Sequence, residues 1–159
     1  MTRISDSENV VRAIFSPQMI GTNGELLLSA FALRVFKDGT AEEYISVNRM
    51  LVDSWFDDIQ KIPQRRNRRL YGYAELNVGQ VRHIEMQVNG HQVTYNVFDC
   101  SEGSTASHAG ISVSMEGHAV KGGRNLFISA LAPNQPEGFV VMAIQEELLN
   151  IAKNNFVRI

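Results

Sequence analysis

The chain is expected to fold as one α+β domain over residues 1–159. The expected frame is a largely antiparallel sheet with hairpins, covered by a C-terminal helix and one mid-chain helix. Three observations carry this expectation. Short β-branched and aromatic runs alternate with turn signals, Asn89-Gly90 the strongest of them. Apolar residues recur at three- and four-residue steps near the C-terminus. A shorter helical pattern lies mid-chain, between strand-like runs.

The elements follow in order. Val10-Val11-Arg12-Ala13-Ile14-Phe15 reads as a strand stopped by Ser16-Pro17. Gly21 to Gly24 is a turn. Leu26 to Phe36 is ambiguous, helical in its first half and strand-like in its second. Lys37-Asp38-Gly39-Thr40 turns the chain into a strand over Glu43 to Val47. From Arg49, the positions Met50, Leu51, Trp55, Ile59 and Ile62 share a helical face, with Asn48 placed to cap it and Pro63 to end it. Leu70 to Leu76 and Val81 to Val88 alternate as strands. Asn89-Gly90 then joins the second of these to Gln92–Phe98. Ile111 to Met115 and His118 to Val120 form another hairpin about Glu116-Gly117, and Leu126 to Leu131 reads as a further strand. Phe139, Val140, Ala143, Ile144, Leu148, Ile151 and Ala152 form one face of the last helix. The apolar tail Phe156 to Ile159 either packs on the domain or makes a homo-oligomer contact.

Composition narrows the function classes. Hydrophobic residues make up 44% and charged residues 20%, which suits a globular chain rather than a disordered one. A net charge of -2 argues against polyanion binding by the whole surface but permits a local basic patch. The single cysteine cannot form an internal disulfide. Met1 to Asn9 has no apolar core of signal-peptide length, and no run approaches the ~20 apolar residues of a membrane helix. The expectation is a cytoplasmic protein with no membrane partner and no obligatory cofactor.

Four constellations carry chemistry. The first is Cys100 with His108 and Asp99, where an imidazole oriented by a carboxylate would activate a thiol for hydrolysis or group transfer. The plainer alternative is a buried structural cysteine. Asp99-Cys100-Ser101 followed by Gly103 resembles the Asp-Cys-Ser-Gly nucleophile segment of papain-like bacterial cell-wall peptidases. His108-Ala109-Gly110-Ile111 is similar to that family's His-x-Gly-Ile strand opening. In that family the cysteine heads a helix and the histidine lies far downstream. Here seven residues separate the two and Glu102 interrupts the first motif, so the activity is not carried over. The second constellation is His83, His91, Cys100, His108 and His118, whose scattered spacing favours no metal site.

The third is Arg65, Arg66, Arg68 and Arg69, followed by Tyr71 and Tyr73. Arginine forks bind phosphate and sheet tyrosines stack bases, so nucleic acid or an acidic partner is one reading. A solvated loop neutralised by Asp53, Asp57 and Asp58 is the favoured one. The fourth is Arg12, a charge inside an apolar strand, with Ser46, Asn48 and Arg49 where a strand hands over to the next element. Such groups suit a small anionic or nucleotide-like ligand, with His108 as a further candidate. Arg12 and Ser46 on successive strands are similar to the NAD-binding core of ADP-ribosyltransferases, although the glutamate that family places on a strand falls here in a helical pattern, Gln145-Glu146-Glu147. The structural alternative pairs Arg12 with Glu43 or Glu75 at a sheet edge. Recognition of a small anionic ligand is the leading functional expectation. A cysteine-dependent hydrolase or transferase and an arginine-cluster interaction module are its rivals.

Overall fold

The computed structural model describes residues 3–159; Met1 and Thr2, the start of the N-terminal stretch read above, lie outside the described residues. Eight strands make one sheet: β1 (Asn9–Ser16), β2 (Ile45–Arg49), β3 (Arg69–Asn77), β4 (Met86–Val88), β5 (His91–Asp99), β6 (His108–Met115), β7 (His118–Ala119) and β8 (Phe156–Arg158). Their order is β4-β5-β6-β2-β1-β3-β8, with β7 paired to β6, and all of these pairings are antiparallel. The helices are α1 (Trp55–Gln60), α2 (Val78–Arg82), α3 (Leu126–Leu131) and α4 (Glu137–Ala152), with a 3-10 turn at Leu28–Phe31. This is the α+β frame expected from the sequence, with its hairpins, C-terminal helix and mid-chain helix.

Alternation builds the inner face of the sheet. Val93, Tyr95 and Val97 of β5 are buried while Gln92, Thr94 and Asn96 between them face outward. Ala109, Ile111, Val113 and Met115 of β6 and Ile45 and Val47 of β2 continue the same face. β1 is buried from Val10 to Phe15, as befits a strand covered on both faces. Val140, Ile144, Leu148 and Ala152 of α4, four residues apart, pack onto this core. Tyr95 Oη on β5 donates to the Ile144 carbonyl at 2.8 Å, and α4 also packs beside β3. β5 and β3 are four strand steps apart, about 19 Å in a flat sheet, and the 16 residues of α4 span about 24 Å. One helix is therefore long enough to reach both. α2 packs on β5. Its Arg82 donates to the Val97 carbonyl at 2.7 Å and to Asn96 Oδ1 at 2.9 Å, which satisfies β5 main chain that the short β4 leaves bare.

Several elements differ from their sequence pattern. Leu126–Leu131 is a helix, not a strand. A six-residue apolar run does not distinguish the two, and here only Ile128 is buried. The mid-chain helix begins at Trp55, six residues after Arg49. Asn48 and Arg49 belong instead to β2, where pairing with β1 and β6 meets their backbone bonding. Val81 to Val88 is split: Asn77 accepts from Gln80 N at 3.0 Å and starts α2, which runs through Arg82, and only Met86–Val88 is strand. Leu26 to Phe36 yields only the 3-10 turn and isolated bridges at Leu26 and Val35. The tail pairs with β3 as β8.

Candidate functional site

The site begins where a ladder stops. β1 and β2 pair at only two positions, Val10 with Arg49 and Val11 with Asn48. At the next residue the Arg12 guanidinium takes over, donating from Nη1 to the Ser46 carbonyl and from Nε to the Ala30 carbonyl, each at 2.8 Å. Arg12 is 6% exposed and makes no contact ion pair among the described residues. Burial is the main reason its pKa falls to about 10; Glu42 pulls it back up, and Arg34 and Arg68 push it further down. It stays protonated at neutral pH. Neither Glu43 nor Glu75 pairs with it: Glu43 meets Lys121, and Glu75 accepts from Asn9.

Arg12 faces a cavity of about 300 Å³. Ser46 and Asn48, two residues apart on β2, lie along it, and His108 of β6, in register with Asn48, joins them. Ala13 and Phe15 of β1 complete the buried floor. Asp58, Lys61, Ile62 and Pro63 border it from α1 and the turn after it, Ser104 and Thr105 from the loop before β6, and Arg34 and Arg68 from two further loops. The structure therefore brings Arg12, Ser46, Asn48 and His108 to one hollow, although they are far apart in sequence.

A buried polar chain holds that hollow in shape. Asn48 Nδ2 donates to Ser107 Oγ at 2.9 Å, and Ser107 Oγ donates to Asp58 Oδ2 at 2.6 Å. Ser107 N and Ser54 Oγ donate to the same oxygen at 3.2 Å and 3.0 Å. The Ser107 hydroxyl is the largest of the influences that hold the Asp58 carboxyl below its ordinary range. His108 Nε2 lies 3.4 Å from Ser46 Oγ, while its Nδ1 is buried without a hydrogen-bond partner among the described residues. Burial lowers the His108 pKa, against smaller upward pulls from the Cys100 backbone and the Asp99 carboxylate, so the ring is neutral at pH 7. Arg68 lays its guanidinium over Phe15, 3.9 Å from the ring centre. Arg34 is paired with Glu42 at 3.0 Å.

Arg49, grouped with this site in the sequence, does not line the cavity. Glu8 accepts two hydrogen bonds from its guanidinium, both 2.9 Å, and Asp99 one at 2.8 Å. Those bonds raise its pKa, Glu8 most of all. Asp99 is thus turned to Arg49 and to the Ser101 hydroxyl, not to an imidazole. Cys100 and His108 meet through main chain, Cys100 N donating to the His108 carbonyl at 2.9 Å. No hydrogen bond joins thiol to ring among the described residues. Sγ instead lies 3.9 Å from the Phe98 carbonyl, and burial pushes the thiol pKa up, with the Tyr44 hydroxyl opposing.

The arginine cluster is divided. Arg65 and Arg68 exchange main-chain hydrogen bonds, both 3.0 Å, around a tight turn. Only Arg68 lines the cavity; Arg65, Arg66 and Arg69 are exposed. Tyr71 is stacked on Phe156 and covered by Arg158, and Tyr73 packs edge-on against Trp55 and Phe56. Both tyrosines are thereby engaged by their own chain. The remaining histidines are dispersed: His83 Nδ1 lies 2.7 Å from the Gly79 carbonyl, His91 is 3.2 Å from Glu116, and His118 stacks on Phe127. Sequence reasoning missed Arg34, Lys61 and Thr105 and read Asp58 as neutralising the arginine loop. Asp58 lies three residues after Trp55 and four before Ile62, the spacing of one helical face, and that spacing was the available signal.

No protein-family model, curated protein or solved structure matches this chain.

Proposed function

We propose that the protein binds a small anionic ligand in the cavity between β1, β2 and β6. The carrying observation is Arg12, a buried cation held by two carbonyls and no carboxylate, with its second Nη free of hydrogen bonds among the described residues. A charge in that setting is stabilised further by any anion that reaches it, because water screens the pair poorly there. Arg68 and Lys61 add two rim cations that make no contact ion pair among the described residues. Ser46, Ser104 and Thr105 offer hydroxyls, and the neutral His108 ring offers Nε2. The Asn48–Ser107–Asp58 chain keeps α1 against the sheet so that these donors are preorganised.

The test is thermal denaturation of the full chain against inorganic phosphate, nucleoside monophosphates and simple carboxylates. A ligand at 100 times its Kd stabilises by about 2.7 kcal/mol, which raises Tm by roughly 5–10 °C for a chain of this size. The expected rise shrinks in Arg68→Gln and in Lys61→Gln, and the ligand-free Tm of Lys61→Gln stays near that of the parent. A panel in which no member raises Tm would sink the proposal.

A further inference from the structure

We infer that the ligand is a phosphate monoester carrying a small apolar body, which rests on the anion-binding reading above and narrows it. Charge is the first reason. Arg12, Lys61 and Arg68 line the cavity without contact ion pairs among the described residues, Arg34 is already matched by Glu42, and Asp58 is the one carboxylate in the lining. Three cations against one carboxylate leave an excess of two positive charges. A phosphate monoester carries about -1.5 to -2 at neutral pH, whereas a carboxylate carries one charge only. Neutral His108 adds nothing to the balance.

Size is the second reason. About 300 Å³ is the lower end of the range for small-molecule sites, which suits one compact organic molecule. Polarity is the third. Arg12 lies buried at the floor, while Ile62 is half-buried and Pro63 exposed at the mouth. Arg68 already occupies one face of Phe15 and Ala13 offers a single methyl, so the apolar surface left for a ligand is chiefly that of Ile62 and Pro63. The phosphate therefore goes down to Arg12 and the apolar body stays at the mouth.

Isothermal titration of the full chain with inorganic phosphate, phenyl phosphate and benzoate separates these points. Phenyl phosphate is expected to bind at least about tenfold more tightly than either of the others. Ile62→Ala is expected to remove most of the preference over inorganic phosphate. Lys61→Gln is expected to remove most of the preference over benzoate. Equal binding of phenyl phosphate and inorganic phosphate overturns the apolar body. Equal binding of phenyl phosphate and benzoate overturns the double charge. Those two failures leave anion binding standing, whereas silence of all three probes removes this inference and counts against the anion reading with it.

Discussion

At Arg12 two opposing effects meet on one guanidinium. Burial lowers its pKa to about 10, roughly 3 kcal/mol against the charged form. Its two charge-assisted bonds to carbonyls each return about 1.5–3 kcal/mol. The effects are of similar size, so the cation adds little to the stability of the fold. His108 makes a pH prediction. The unfolded ring takes up a proton near 6.5, and the folded ring only at lower pH. Stability from this group is therefore complete above 6.5 and falls as pH drops through the folded value. Urea midpoints are expected to decline as pH falls below about 6.5, and His108→Gln to flatten that limb. A limb of unchanged slope in the variant would assign it to other groups. Asp58 and Asp99, both held below 3.8 by hydroxyl donors, lose their contribution at still lower pH. The raised pKa of buried Cys100 predicts alkylation by iodoacetamide at neutral pH at least about tenfold slower than that of a free thiol, with full reactivity in denaturant. Fast labelling of the native protein would restore the nucleophile reading.

Among the elements, those with long or repeated signals matched their sequence pattern. α4 carries four buried positions at four-residue spacing, and Asn89-Gly90 turns β4 into β5 with both residues at positive φ. α3, α2 and the segment after Leu26 did not, because runs of five or six residues hold too few periods to separate helix from strand. β8 depends on a gap that its own sequence does not show. Gly72 of β3 faces Arg158, and a Cβ there would lie 2.2 Å from the Val157 carbonyl oxygen. Gly72→Ala is expected to push β8 off the sheet, at about 1–3 kcal/mol, while the rest of the fold persists. Hydrogen exchange would show Phe156–Arg158 losing protection while β1 keeps it. Retained protection at β8 would mean that β3 yields instead.

At the scale of the whole molecule, the sheet and α4 form one body. Tyr95→Phe removes the hydroxyl bond from β5 to the Ile144 carbonyl and is expected to lower global stability by about 1–2 kcal/mol. Unfolding should remain a single transition, with far-UV ellipticity and Trp55 fluorescence coinciding. Separated transitions would show that the α1 side and the α4 side unfold independently. The architecture was legible from sequence because alternation, helical periodicity and turn chemistry are local properties, set by bond geometry within a few residues. Arg12 also stood out, because a charge in an apolar strand is conspicuous wherever it lies. Which groups share the cavity was not legible. Arg12, Ser46 and His108 meet only because β2 lies between β1 and β6, and Arg49 leaves the group only because Glu8 and Asp99 reach it first. Strand order and ion-pair choice are contests among residues distant along the chain, and only tertiary packing decides them.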